Sequence, residues 1–308
     1  MSKFRVMRMN QIAAVLVASL IGSSIAAQGK PTRPRITGID HVRFYVTDLD
    51  NARSFYTKIL GLPSDGGGCV GVLRPCFPVS WSQQIELEKA PSPAPKNWLA
   101  ELAFSTDDVA QMRRYLRAQG VDAARIFEDT NGAQHFELYD PEGNPIAFVQ
   151  RRPELADYEI SPKQLSARLI HAGFVVKDLA TENHFYVDLL GFRLYWHGGF
   201  KDRDTDWYEI QVPDGDNWTE YMLNIPANAD HKELGVENHF SLGVKDAQAA
   251  AAQLRKNGLR EFDGPEIGRD GKNSLDAYDP DGTRVEIMEF APAQKPCCHP
   301  YTAEHPKP

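Results

Sequence analysis

Two stretches decide the architecture: Ile39-Asp40-His41-Val42-Arg43-Phe44-Tyr45-Val46-Thr47-Asp48-Leu49 and Leu169-Ile170-His171-Ala172-Gly173-Phe174-Val175-Val176-Lys177-Asp178-Leu179, the second 130 positions after the first. The same offset carries Phe55-Tyr56 onto Phe185-Tyr186 and Leu60-Gly61-Leu62 onto Leu190-Gly191-Phe192. Three matched blocks at one offset mark an internal duplication, which constrains architecture more firmly than local propensity does. Further along, Leu116-Arg117-Ala118-Gln119-Gly120 recurs as Leu254-Arg255-Lys256-Asn257-Gly258, and Tyr139-Asp140-Pro141-Glu142-Gly143 as Tyr278-Asp279-Pro280-Asp281-Gly282, at offsets of 138 and 139. The chain therefore reads as four modules over about 36–90, 98–151, 167–226 and 236–291, the first like the third and the second like the fourth.

Inside a module the signals agree. Alternating apolar residues around His41 predict a strand; Asp48 then supplies an N-cap, and Ala52, Phe55, Tyr56, Ile59 and Leu60 recur at helical spacing until Gly61. Asp-Pro-x-Gly at 140–143 and 279–282 is a tight turn, because proline fixes φ early and glycine tolerates positive φ after it. Each turn leads into a short apolar strand, 145–150 or 284–290. A βαβββ module results, and the fold class expected is α+β, with four such modules in two tandem halves. Pro-rich or polar stretches at 90–96, 152–166 and 292–308 separate the parts.

The 308 residues are 42% hydrophobic and 25% charged, which suits about two ordinary domains and excludes disordered, collagen-like or multispanning membrane chains. At the start, Lys3, Arg5 and Arg8 precede the apolar run 12–21, and Ser23-Ser24-Ile25-Ala26-Ala27 offers small residues for cleavage. That is the pattern of a secretory signal over 1–26, shorter than the roughly 20 apolar residues a membrane span needs. A secreted or periplasmic protein is expected, with no membrane attachment after cleavage. The formal net charge of −8 disfavours nucleic acid and anionic membrane surfaces as partners. Cys69, Cys76, Cys297 and Cys298 allow three disulfide pairings, Cys69 with Cys76 being a local one, and no Cys-x-x-Cys suggests a zinc knuckle. The adjacent Cys297-Cys298 is expected to be peripheral.

Strand-His, then Asp-Leu-x-x-Ala-x-x-Phe-Tyr-x-x-x-Leu-Gly-Leu, then Tyr-Asp-Pro-x-Gly-x-x-x-Glu, resembles the vicinal oxygen chelate (VOC) superfamily. That superfamily takes in glyoxalase I, the fosfomycin and bleomycin resistance proteins and the extradiol dioxygenases. The resemblance covers nearly all of 36–291 and implies cupped mixed sheets, each built from paired modules, with a first domain over 36–151, a linker over 152–166, a second domain over 167–291 and a tail over 292–308. It also implies metal ligands at the start of first strands and on last strands. On that reading His171, His239 and Glu286 form the metal set. Two imidazoles and one carboxylate leave positions open for a divalent metal, Fe(II) above Mn, Zn or Ni, to bind two vicinal oxygens of a small-molecule substrate. In the first half His41 matches His171, but Glu101 stands where His239 is and Ala147 where Glu286 is; Glu86 resembles the glutamate that glyoxalases supply from their first module. If modules pair 1 with 2 and 3 with 4, the set is His171, His239 and Glu286; if 1 pairs with 4, it is His41, Glu86, His239 and Glu286.

An extradiol-type ring-cleaving dioxygenase is the activity the resemblance favours. The family's usual tyrosine ten residues before the glutamate is replaced by Asp276, a candidate proton carrier, and 267–271 lacks the histidine expected there. A glyoxalase-like isomerase or lyase, and a drug-binding resistance protein without catalysis, are the alternatives. His184 on the module 3 helix and His231 in a linker are expected to be exposed, and His135, His299 and His305 to lie outside the chemistry. Trp196, His197, Trp207, Tyr208, Trp218 and Tyr221 could line a pocket or pack a core. Whether the protein is a monomer or a homo-oligomer is left open by the sequence.

Overall fold

The computed structural model describes residues 31–64, 74–129, 132–152 and 160–308, so the expected signal segment and residues 153–159 of the 152–166 linker lie outside the described residues. Residues 31–308 form one compact unit built on two sheets. The first half contributes β1 (Ile36–Val46), α1 (Leu49–Ser54), β2 (Cys76–Pro78), β3 (Gln84–Lys89), β4 (Leu99–Thr106), α2 (Val109–Ala118), β5 (Phe127–Glu128), β6 (Gln134–Tyr139) and β7 (Pro145–Gln150). The second contributes β8 (Leu169–Val175), α3 (Leu179–Asn183), β9 (Arg193–Gly198), β10 (Trp207–Gln211), β11 (Trp218–Met222), α4 (His231–Glu237), β12 (His239–Val244), α5 (Ala247–Asn257), β13 (Asp263–Ile267), β14 (Asn273–Tyr278) and β15 (Arg284–Glu289).

Strand orders are β2-β3-β1-β4-β7-β6-β5 and β13-β14-β15-β12-β8-β11-β10-β9. Modules 1 and 2 therefore share one sheet and modules 3 and 4 the other, which resolves the pairing and removes the combination of His41 and Glu86 with His239 and Glu286. Each first strand is central: it runs parallel to one neighbour (β1 to β3, β8 to β11) and antiparallel to the other (β1 to β4, β8 to β12).

Local chemistry explains the helices. Asp48 accepts hydrogen bonds from the amides of Asp50 and Asn51, so the expected N-cap is in place, and Asp178, its counterpart in the third module, accepts from those of Ala180 and Thr181. Both helices then widen into a π-turn, Phe55–Ile59 and His184–Leu189, which turns Phe55-Tyr56 and Phe185-Tyr186 inward, all four buried. In the Asp-Pro-x-Gly turns, Asp140 takes the amides of Glu142 and Asn144, and Asp279 those of Asp281 and Thr283, while Gly143 and Gly282 sit at φ 86° and 88°.

Reciprocal contacts lock the halves together. Tyr56 in module 1 donates its hydroxyl to Asp279 of module 4 at 3.3 Å, and Tyr186 of module 3 does the same to Asp140 of module 2 at 3.3 Å. At the centre, the Gln83 amide donates to the carbonyls of Ile39 and Leu169 (3.1 and 2.8 Å) and accepts from the Leu169 amide (3.0 Å). Asn217 accepts from the Ile39 amide (2.9 Å) and donates to the Leu169 carbonyl (3.0 Å). Both side chains are buried, so each satisfies backbone groups at a point where the first strands of the two halves meet and no ladder continues. Gln83→Leu should leave the Leu169 amide unpaired and cost about 1–3 kcal/mol; a lowered midpoint in chemical denaturation checks it.

Candidate metal centre

Side-chain alternation and cross-strand pairing carry the site. On β8, His171 and Gly173 are two apart and share a face. His171 lies opposite Trp218 on β11 and Ser241 on β12; Gly173 lies opposite Glu220 and His239; Ser241 in turn faces Glu286 on β15. Four side chains from four neighbouring strands thus converge. His171 Nε2 is 3.1 Å from Glu286 Oε2, 3.1 Å from His239 Nε2 and 3.9 Å from Glu220 Oε2. His239 Nε2 is 3.3 Å from Glu220 and 3.9 Å from Glu286. A Cβ at position 173 would stand 2.0 Å from the His239 ring, so glycine there makes room for the imidazole.

The electrostatics prepare the imidazoles as ligands. Burial holds His171 neutral, its pKa lowered to about 3, with the Lys272 and Arg284 charges acting the same way against Glu220. Burial and the Arg284 guanidinium hold His239 well below the usual range. Arg284 Nη2 lies 2.9 and 3.1 Å from the two nitrogens of that ring, which places the guanidinium over its face. His239 Nδ1 is 2.9 Å from the Glu237 carbonyl; donating there fixes the tautomer and turns the Nε2 lone pair into the site. Burial raises both Glu220 and Glu286. Two buried carboxylates and two neutral imidazoles, with the Arg284 and Lys272 charges acting on the carboxylates, make a nitrogen-and-oxygen donor set that suits Fe, Mn, Zn or Ni.

The second half thus brings His171, His239 and Glu286 together. Asp276 lies opposite Glu286 on β14, half-buried, 3.6 Å from Arg284, with Oδ1 buried and without a hydrogen-bond partner; burial pushes its pKa up to about 6. Glu220 was not read from the sequence. Its signal was Glu86: the register places Glu86 opposite Arg43 as it places Glu220 opposite Gly173, at an offset of 134 that neither block of the repeat reveals.

The aromatic set divides. Trp218 packs against His171 at 4.7 Å between ring centroids, whereas Tyr208 and Tyr221 stack on each other in the core. Cys297 and Cys298 are joined in a disulfide, half-buried at the start of a tail segment that packs on the second sheet. The carbonyl of His299 accepts from Trp196, Thr302 is held by Tyr195, and Tyr301 donates to Asp270 at 2.9 Å. Lys272, fully buried, sits 4.2 Å over Trp218 and 5.0 Å over Tyr301. His305 meets the Tyr195 hydroxyl at 2.6 Å. His231 is no exposed linker residue: its ring lies 3.9 Å from that of Trp98 and its Nε2 bonds the Asp281 carbonyl. His184 is exposed beside Asp188, as expected.

The first half keeps the geometry with other chemistry. His41 bridges Asp40 (2.8 Å) and Glu101 (2.9 Å), and Arg43 bridges Glu86 (2.9 Å) and Glu101 (2.7 Å). Arg151 pairs with Asp40 at 2.6 Å. Against the burial that would lower it, Glu86 and the hydrogen bonds to Asp40 and Glu101 raise His41 to about 9.

Residues 168–287 match the model of the Glyoxalase/Bleomycin resistance protein/Dioxygenase superfamily, in agreement with the motifs of that segment. No curated protein sequence matches the chain. Among solved structures, the anaerobic complex of homoprotocatechuate 2,3-dioxygenase from Brevibacterium fuscum with 3,4-dihydroxyphenylacetate is 22% identical, with a TM-score of 0.61 over 84% of this chain and 82% of that one. A variant of the same enzyme is 21% identical, with a TM-score of 0.63 over 89% of this chain and 74% of that one. A room-temperature structure of an extradiol ring-cleaving dioxygenase from B. fuscum is 22% identical, with a TM-score of 0.62 over 84% and 73%. The likeness is one of fold: two curled mixed sheets with few helices.

A histidine whose pKa rises from 6.5 unfolded to about 9 folded stabilises in full below pH 6.5 and loses that contribution as the pH climbs through 9. The denaturation midpoint should therefore fall over that interval by an amount worth up to about 3 kcal/mol. His41→Gln should flatten the profile when denaturation curves are recorded across it.

Proposed function

We propose that the protein is a metal-dependent enzyme of the VOC superfamily whose divalent metal is held by His171, His239 and Glu286, and that it acts as an extradiol-type ring-cleaving dioxygenase on a small substrate with vicinal oxygens. The observation that carries the reading is the convergence of His171 Nε2, His239 Nε2 and Glu286 Oε2 within 3.1–3.9 Å of one another on the face of one sheet. Three ligands on one side of the ion leave room for two substrate oxygens and dioxygen, and Fe(II) is the metal that suits that chemistry.

The bound metal supplies Lewis acidity and a meeting point for the two substrate oxygens and dioxygen. The chain's own residues do the rest. Arg284 over His239 and the Glu237 carbonyl at its Nδ1 orient one ligand; Trp218 walls the other. Asp276, with a pKa near 6 and an unpartnered Oδ1, takes the proton of a substrate hydroxyl and returns it later. Homoprotocatechuate 2,3-dioxygenase, the fold relative bound to 3,4-dihydroxyphenylacetate, makes catechols with an acidic side chain the first substrates to try.

Glu220 favours a second reading. As a fourth ligand it would leave two open positions, which suits an isomerase or lyase that moves a proton between neighbouring carbons without oxygen. The 1–26 segment adds export to the proposal; N-terminal sequencing of the protein from a periplasmic or secreted fraction should find a start at residue 27 or 28.

Metal analysis of the purified protein should find one transition-metal ion per chain, lost in His239→Ala. With iron bound, oxygen uptake with catechols should follow, and Asp276→Asn should lower kcat about 10²–10⁴-fold while leaving the metal in place. Absence of stoichiometric metal in the parent would overturn both readings. Metal without oxygen uptake would move the assignment to the isomerase or lyase.

A further inference from the structure

The same four strand positions are filled differently in the two halves. In the second half they carry His171, Glu220, His239 and Glu286, with Gly173 empty between them. In the first they carry His41, Glu86, Glu101 and Ala147, with Arg43 where Gly173 stands. The registers are congruent: Arg43 lies opposite Glu86 and Glu101, as Gly173 lies opposite Glu220 and His239, and Ala147 faces Ala103 as Glu286 faces Ser241. Arg43 is nearly buried, and its Nε and Nη2 reach Glu86 Oε2 and Glu101 Oε1 at 2.9 and 2.7 Å.

We propose that the guanidinium of Arg43 stands in for a divalent metal in the first half, so that this half is a metal site closed by its own side chain. The inference rests on the reading of the second half as a metal centre, and it concerns residues which that reading does not use.

Charge explains the substitution. The first cup holds three buried carboxylates, Asp40, Glu86 and Glu101, against three cationic groups, His41, Arg43 and Arg151, joined pairwise at 2.6–2.9 Å. The set is neutral, so a bound dication would be in excess. Loss of the carboxylate at 147 belongs to the same balance: Ala103, Ala147 and Val149 form a small apolar cluster there. In the second cup the two ligand carboxylates have two neutral imidazoles beside them, and the cations there form their ion pairs elsewhere, Arg284 with Asp276 and Lys272 with Asp270 at 3.6 Å each. An arginine could not stand at 173, where even a methyl group would meet the His239 ring; Glu101, which needs a cation beside it, accommodates one at 43. A cavity of about 450 Å³ lined by His41, Arg43, Glu86, Glu101 and His135 gives an ion access.

Removing the guanidinium leaves one imidazole and two carboxylates around a space that an ion can reach, a donor set suited to Mn(II). The test uses Mn(II) as the probe and His239→Ala as the background, so that the second half is silent. Arg43→Gly/His239→Ala should bind one Mn(II) per chain and show a rise in Tm with the ion that His239→Ala alone lacks; adding Glu86→Gln should abolish both. If the folded double variant takes up no more Mn(II) than His239→Ala, the proposal is overturned. Arg43→Lys keeps a cation in place and preserves the fold's charge balance, so it should bind no more metal than the parent; an added equivalent in Arg43→Lys also overturns the proposal. Failures separate cleanly. One ion in the parent and none added by Arg43→Gly refutes this inference alone, whereas none in the parent and one gained with Arg43→Gly refutes the second-half reading alone.

Discussion

A carboxylate buried on the concave face of a sheet has to be met by positive charge, and the two halves of this protein depend on how each meets that demand. Transferring an unpaired carboxylate out of water costs far more than a small domain's net stability. Glu86 and Glu101 meet an arginine and a histidine drawn from the first strand; Glu220 and Glu286 meet imidazoles that burial keeps uncharged. In one half the cations pair directly with the carboxylates, whereas in the other Arg284 and Lys272 pair with Asp276 and Asp270 and act on Glu220 and Glu286 from further away. That asymmetry, more than the shared fold, distinguishes the two cups.

The duplicated backbone makes such divergence possible. Because each first strand is central, with a parallel neighbour on one side and an antiparallel one on the other, a residue at position 43 or 173 is flanked by side chains from two strands at once. A single change there alters the contacts with both. Gln83 and Asn217 hold the adjacent ends of β1 and β8 through backbone groups, so the strands can exchange side chains on the concave face without losing their mutual position.

Much of this was legible in the sequence. The repeat of His41 and His171, the aspartate caps and the two Asp-Pro-x-Gly turns fix modules, helices and strands, because each rests on local backbone chemistry. His239 and Glu286 could be placed because they lie at fixed distances from those turns and strand starts. Module pairing could not be read, since both arrangements use the same modules and differ only in which edges meet. Glu220 escaped because the loops between β8 and β11 differ in length from those between β1 and β3, so it has no fixed spacing from His171. The tail's anchors, Tyr301 on Asp270 and His299 on Trp196, could not be read for a related reason: they are single residues of no periodic pattern.

The crossed tyrosine contacts bear on how such a chain comes to its fold. Tyr56 waits for Asp279, 223 residues further on, while Tyr186 reaches back 46 residues to Asp140. Loop closure over the longer separation is costlier before it is rewarded, so the module 2–3 contact is placed to form first and the module 1–4 contact to complete the molecule. The first half, although it comes earlier in the chain, completes its Tyr56 contact only when the last module arrives; the halves match in pattern but are not separable parts in assembly.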